Sequence, residues 1–182
     1  MKGSVPIPSK MRRRPVDERW NLPVPAFAEH RGEVDFQAVS LRRLRDLIGS
    51  GRCAMCGELV ERGVWWAIGE PKSVREGHFA TEAMGHRECV EYAVLACPWL
   101  RVSAYRRMSD SREDISAVLD ADKPPVWALV EGRSPVVDGT LTELTNVRVR
   151  SLFGYVDRDL RSLTLKEANE LLRASGEDEL KP

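Results

Sequence analysis

The chain has no long apolar run, no surplus of charge of either sign, and no internal repeat or low-complexity tract. Nothing approaches the roughly 18 consecutive apolar residues of a membrane span, so no membrane partner is expected. The basic N-terminal residues are interrupted by Pro6, Pro8 and Pro15, and no apolar leader core follows. The expected compartment is therefore the cytoplasm. Lys and Arg number 28 and Asp and Glu number 28, so the whole molecule has no net attraction for nucleic acid. Neither a phosphate loop, a nucleophile motif nor a paired catalytic carboxylate can be read, and this argues against an enzyme. Cysteines number only four in 182 residues, and in a cytoplasmic chain they point to metal or reduced thiols more often than to disulfides.

What is present is an ordinary globular balance, 42% hydrophobic and 31% charged, which excludes wholesale disorder. Charge is uneven. Residues 1–20 carry Lys2, Lys10, Arg12, Arg13, Arg14 and Arg19 against Asp17 and Glu18. The first 32 residues hold five prolines, which disfavour helix. They predict an extended basic arm, laid across the domain through Trp20, Leu22, Val24 and Phe27. Arg12, Arg13 and Arg14 read first as a solvated tail and second as a phosphate-contacting segment.

Apolar periodicity predicts a helix starting at Val39 or Ser40, with Leu41, Leu44, Leu47 and Ile48 as its stripe and Gly49 as its stop. Arg42, Arg43 and Arg45 fall mostly off that stripe. The run Val64, Trp65, Trp66, Ala67, Ile68 suits a strand after a Cys knuckle, with a polar connection over 70–85. "HRECVEYAVLAC" predicts a buried helix stopped by Pro98. A short helix is expected over 111–119, a buried strand over 126–130, one or two further strands with Thr145 to Ser151 alternating in period two, and a final helix with a capping box of Thr164 and Glu167 and a terminating Gly176.

The chemistry concentrates in two pairs. Cys53-x-x-Cys56-Gly57 offers two thiolates from one tight turn, and Gly57 suits a positive φ. His86-x-x-Cys89 offers a second pair one helical turn apart. A knuckle, a hairpin and a helix whose start donates the second pair is the order of a treble-clef zinc site. Zinc takes four such N and S ligands. Cys97 reads as a buried thiol rather than a ligand, and His78 and His30 as ordinary surface residues. Treble clefs also occur in nucleases, but Trp65 and Trp66 stand where a general base would be needed, and four filled ligands leave no open position for a hydrolytic metal.

The order of "LPVPAFAEHRGEVDF", "RCAMCGELVERGVWWAIGEP" and "GHRECVEYAVLACPWL" resembles a family found in actinobacteria and the phages that infect them. Its pattern is a Pro-Val-Pro opening, a Cys-x-x-Cys-Gly knuckle, an aromatic-apolar strand and a His-x-x-Cys helix ending Cys-Pro-aromatic-Leu. The likeness spans about residues 22–100; here Glu70 stands between Gly69 and Pro71, and "EAMGHREC" replaces the usual Pro-Pro-Ser-His approach. The resemblance implies a phage-type zinc protein acting in the host cytoplasm.

The expectation is an α+β protein with a small treble-clef-like zinc core, added helices and a short antiparallel sheet. Its parts are an arm over 1–21, a zinc core over 22–105 and an α+β extension over 106–182. Cys53, Cys56, His86 and Cys89 would hold zinc, and the protein would bind a host protein without catalysing a reaction. Candidate contacts are Arg12, Arg13, Arg14, Arg42, Arg43, and whichever of Trp65 and Trp66 is exposed. The alternatives are a nucleic-acid binder, adding Arg106 and Arg107, and a degenerate metal-dependent nuclease.

Overall fold

The computed structural model describes residues 5–30, 33–34, 41–71, 84–101, 123–138, 141–156 and 159–180. The expected 111–119 helix, His78, Arg106 and Arg107 lie outside these residues. The chain is α+β: helices packed on a five-stranded antiparallel sheet, with two further two-stranded ribbons.

The N-terminal arm is anchored. Pro8 precedes a single 3-10 turn, Ser9–Met11, and Met11 is fully buried. Val16–Asp17 pairs with Leu22–Pro23, and residues 23–28 are all buried. Prolines prevented a helix, as expected. A buried methionine, carrying no periodic signal of its own, fixes the segment to the core.

Helix α1, Leu41–Gly49, buries Leu44, Leu47 and Ile48. Gly49 does not stop it. The terminator is Gly51, at φ +74°, whose amide donates to Ile48 O at 2.9 Å while Arg52 N donates to Leu47 O at 2.8 Å. That is a Schellman closure, and a left-handed residue there costs glycine nothing. It turns the chain directly into the Cys53 knuckle.

Strand β1 is Val64–Gly69, and β2 is the two-residue Met84–Gly85. Helix α2 is Arg87–Ala96, followed by the short α3, Pro98–Arg101. Strands β3 (Val126–Asp138), β4 (Leu141–Val156) and β5 (Asp159–Leu163) complete the sheet, in the order β2-β1-β3-β4-β5. The sheet is longer than the short one expected, and it joins β1 to β3 across the 105/106 position. Helix α4, Leu165–Ala174, has the predicted capping box, with Glu167 N donating to Thr164 Oγ1 at 3.3 Å and Thr164 N donating to Glu167 Oε2 at 2.8 Å. Gly176, at φ +75°, closes it as expected.

Residues paired across an antiparallel ladder share a face. One face carries Trp66, Glu131 and Arg148, then Ile68 with Leu129, and Trp127 with Phe153. The other carries Trp65 with Gly132, Ala67 with Val130, and Val126 with Gly154. Helices α2 and α3 lie on the first face: Arg87 stacks 4.9 Å from the Trp66 ring centroid, and Tyr155 donates to Leu100 O at 2.6 Å while accepting from Trp127 Nε1 at 3.2 Å. Helix α4 lies on the second, where a side chain at Gly154 would collide with Leu163 and Leu171. With both faces covered along these stretches, Trp65 through Gly69 and Val126 through Val130 are buried without interruption.

Candidate metal centre

The knuckle is built by its backbone. Arg52 and Leu59 form a β-bridge, and inside it Cys53 N donates to Glu58 O and Gly57 N to Cys53 O, both at 2.8 Å. Gly57 has φ +81°, the conformation its position predicted. Two neighbouring segments hold the turn in place. Ala54 N donates to Met84 O of β2 at 2.9 Å, while Ala26 N and Phe27 N of the arm donate to Met55 O and Ala54 O.

β2 then delivers the second pair. His86 is the residue before α2, with an extended backbone, and Cys89 is the third residue of the helix. The two were expected one turn apart within the helix; in fact only Cys89 is helical. Its place in the first turn puts it near the positive end of the helix dipole, which favours a thiolate.

The four donor atoms of Cys53, Cys56, His86 and Cys89 all lie within 4.8 Å of one another. A tetrahedral ion with bonds of about 2.0–2.3 Å places its donors about 3.3–3.8 Å apart. Cys56 Sγ and His86 Nδ1 are 3.4 Å apart. The three thiols are buried and the imidazole is half-buried at the rim. His86 Nε2 meets Leu59 O at 2.9 Å. A carbonyl only accepts, so Nε2 carries the proton and the Nδ1 lone pair is left for a metal.

The thiols compete for protons. Hydrogen bonds with Cys56 and Cys89 hold the Cys53 pKa well below its ordinary value. Hydrogen bonds with Cys53 and Cys56, with burial, push Cys89 far above its own. The hydrogen bond with Cys56 raises His86. A divalent cation would displace these shared protons, which is how metal binding couples to folding. The arrangement can hold a metal ion.

No family model, no curated protein and no solved structure matches this chain. The centre is therefore read from its own geometry.

Other candidates separate from it. Trp65 and Trp66 are 3% and 9% exposed, so neither offers an indole to a partner. Alternation does send them to opposite faces, but both faces are covered. The arm's cations have partners within the chain. Arg12 Nε donates to Ile7 O and Arg14 Nε to Val24 O, while Arg13 lies 3.9 Å from Glu58 and Lys10 3.7 Å from Glu88. Arg42 and Arg43 are exposed on α1. Cys97 lies outside the cluster, as expected, but is half-buried rather than buried.

Two supports went unread in the sequence. Gly85 has no side chain because a Cβ there would collide with Cys53 Sγ. Leu59 contributes only its carbonyl. The glycine directly before the second pair was a visible signal; the backbone carbonyl had none.

Proposed function

We propose that this chain is a phage-type, zinc-stabilised binding protein that engages a macromolecule of the host cytoplasm without catalysing a reaction. The observation that carries the metal part is the convergence of four donors within 4.8 Å of one another, with Cys56 Sγ and His86 Nδ1 3.4 Å apart. Three sulfurs and one imidazole nitrogen suit zinc, whereas magnesium and calcium take oxygen ligands. Knuckle, β1–β2 pairing and helix start follow one another as in a treble clef. Cys53, Cys56, His86 and Cys89 would each give one bond, leaving no coordination position for a reacting water. That argues against the nuclease alternative, and the burial of Trp65 and Trp66 adds no base to it. For a phage-encoded protein of this kind, the proposed role is interference with host physiology or host defence.

Metal analysis of the purified full chain tests the first part: about one zinc per chain is expected. Incubation with plasmid DNA plus magnesium or manganese tests the second, and intact plasmid is expected. Metal-free protein that unfolds at the same temperature as the loaded form would remove the structural zinc. Cleavage abolished by a substitution outside the four ligands would restore the enzyme.

A further inference from the structure

The face of the sheet that carries Trp66 is covered by α2 and α3 over only part of its extent. Toward the start of β1 it opens. Glu131 pairs with Trp66 on one side and with Arg148 on the other, so all three point the same way. Arg133, two residues along β3, points there too and pairs with Val64 and Thr145. Arg150 falls at a bulge in β4, where the register slips between Leu129–Ser151 and Val130–Val149. The bulge brings it onto the same face, and its Nη2 reaches Glu131 Oε2 at 2.9 Å.

Three exposed arginines thus gather on one open sheet surface around the Glu131 carboxylate. Arg150 is held by Glu131, whereas Arg133 and Arg148 have no ion pair among the described residues. In a chain of zero formal charge this is a local concentration of one sign. A guanidinium fork matches phosphate geometry, and a rigid ladder holds the forks at fixed positions. The face shows no exposed aromatic ring among the described residues: Trp66 is buried under Arg87. Binding of single strands gains much of its energy from stacking on such rings. The surface is suited to backbone phosphates alone.

We infer that this open face, through Arg133, Arg148 and Arg150, binds the phosphate backbone of duplex DNA without reading its sequence. The inference rests on the binding-protein reading and names the macromolecule. It is independent of the arm and of α1, since the contacts come from β3 and β4.

The test uses the full zinc-loaded chain and a fluorescently labelled 30-base-pair duplex of scrambled sequence, titrated between about 50 and 200 mM salt. Affinity should fall as salt rises, each phosphate contact contributing roughly −0.9 to the log–log slope. Replacing both residues, R133A/R148A, should weaken binding at low salt and make the slope shallower by roughly 1.8. K166A, at an exposed position of α4, should leave both quantities unchanged. Zinc content and melting temperature, measured on every variant, separate loss of this surface from loss of the fold. No duplex binding at 50 mM salt by a folded, zinc-loaded chain overturns the inference and leaves the zinc reading standing. So does an unchanged slope in R133A/R148A, a tighter grip on a single strand of the same sequence, or equal affinity for polyglutamate, which would make the surface a site for acidic protein.

Discussion

Gly85 lies so close to Cys53 that any side chain at position 85 would occupy the space of the Cys53 sulfur. The contact cannot relax easily, because Gly85 is paired with Trp66 and its neighbour Met84 accepts from Ala54 N. Gly85→Ala should therefore push the knuckle away from the helix start. Overpacking of this kind costs about 1–3 kcal/mol. Competition against a zinc-sensitive chelating dye should show weakened metal affinity and thermal melts a lower midpoint; an unchanged affinity would mean that the two pairs are not held by this contact.

Removing the metal should have a larger effect. Structural zinc sites contribute on the order of 10 kcal/mol to folding. Chelation, or Cys56→Ser, should abolish cooperative unfolding of the knuckle region, read by near-ultraviolet circular dichroism from Trp65 and Trp66. Both tryptophans are buried in β1, next to β2, the strand that leads into the second ligand pair.

The arm should behave as part of the core. Met11 is fully buried, so Met11→Ala should cost about 2–5 kcal/mol, measured by denaturant titration. A change below about 0.5 kcal/mol would mark the arm as a loose tail.

Tyr155 ties α3 to the sheet through its hydroxyl. Tyr155→Phe leaves the Leu100 carbonyl and the Trp127 ring N–H without that partner. The loss should be about 1–3 kcal/mol, and the Trp127→Phe, Tyr155→Phe double variant should lose less than the two singles added together, since they share one bond.

The capping box of α4 sets a pH dependence. The Thr164 backbone amide and hydroxyl bond to Glu167 and lower its pKa. A carboxyl whose folded pKa is depressed adds stability above its unfolded value, and that stability is lost as pH falls through the folded value. Melting temperature should therefore fall in acid more steeply for the native chain than for Glu167→Gln. Parallel acid limbs would show that the box does not hold in solution. Thr164→Ala should cost about 1 kcal/mol at neutral pH.

Local features were legible because their physics is local. The stripe of Leu44, Leu47 and Ile48, the capping box, and the spacing of Cys53 with Cys56 and His86 with Cys89 all lie within a turn or two of helix or knuckle. The stop of α1 was misplaced by two residues, since Gly49 and Gly51 look alike in sequence and only the bonds to Leu47 and Ile48 distinguish them. Trp65 and Trp66 show the same limit. Alternation sends them to opposite faces, but what covers each face comes from far along the chain.

The sequence by itself determined which four side chains have metal-ligand chemistry, where α4 is capped, and that the protein is α+β. Spacing and capping depend on neighbours a few positions away, and those are written in order. Only the tertiary structure decided that β1 pairs with β3, that Met11 seals the core, that residue 85 must lack a side chain, and that Arg133, Arg148 and Arg150 share one open face. Apart from Met11, which sits in a 3-10 turn, these depend on register between distant strands, and a shift of a single residue would turn the paired side chains to the other face.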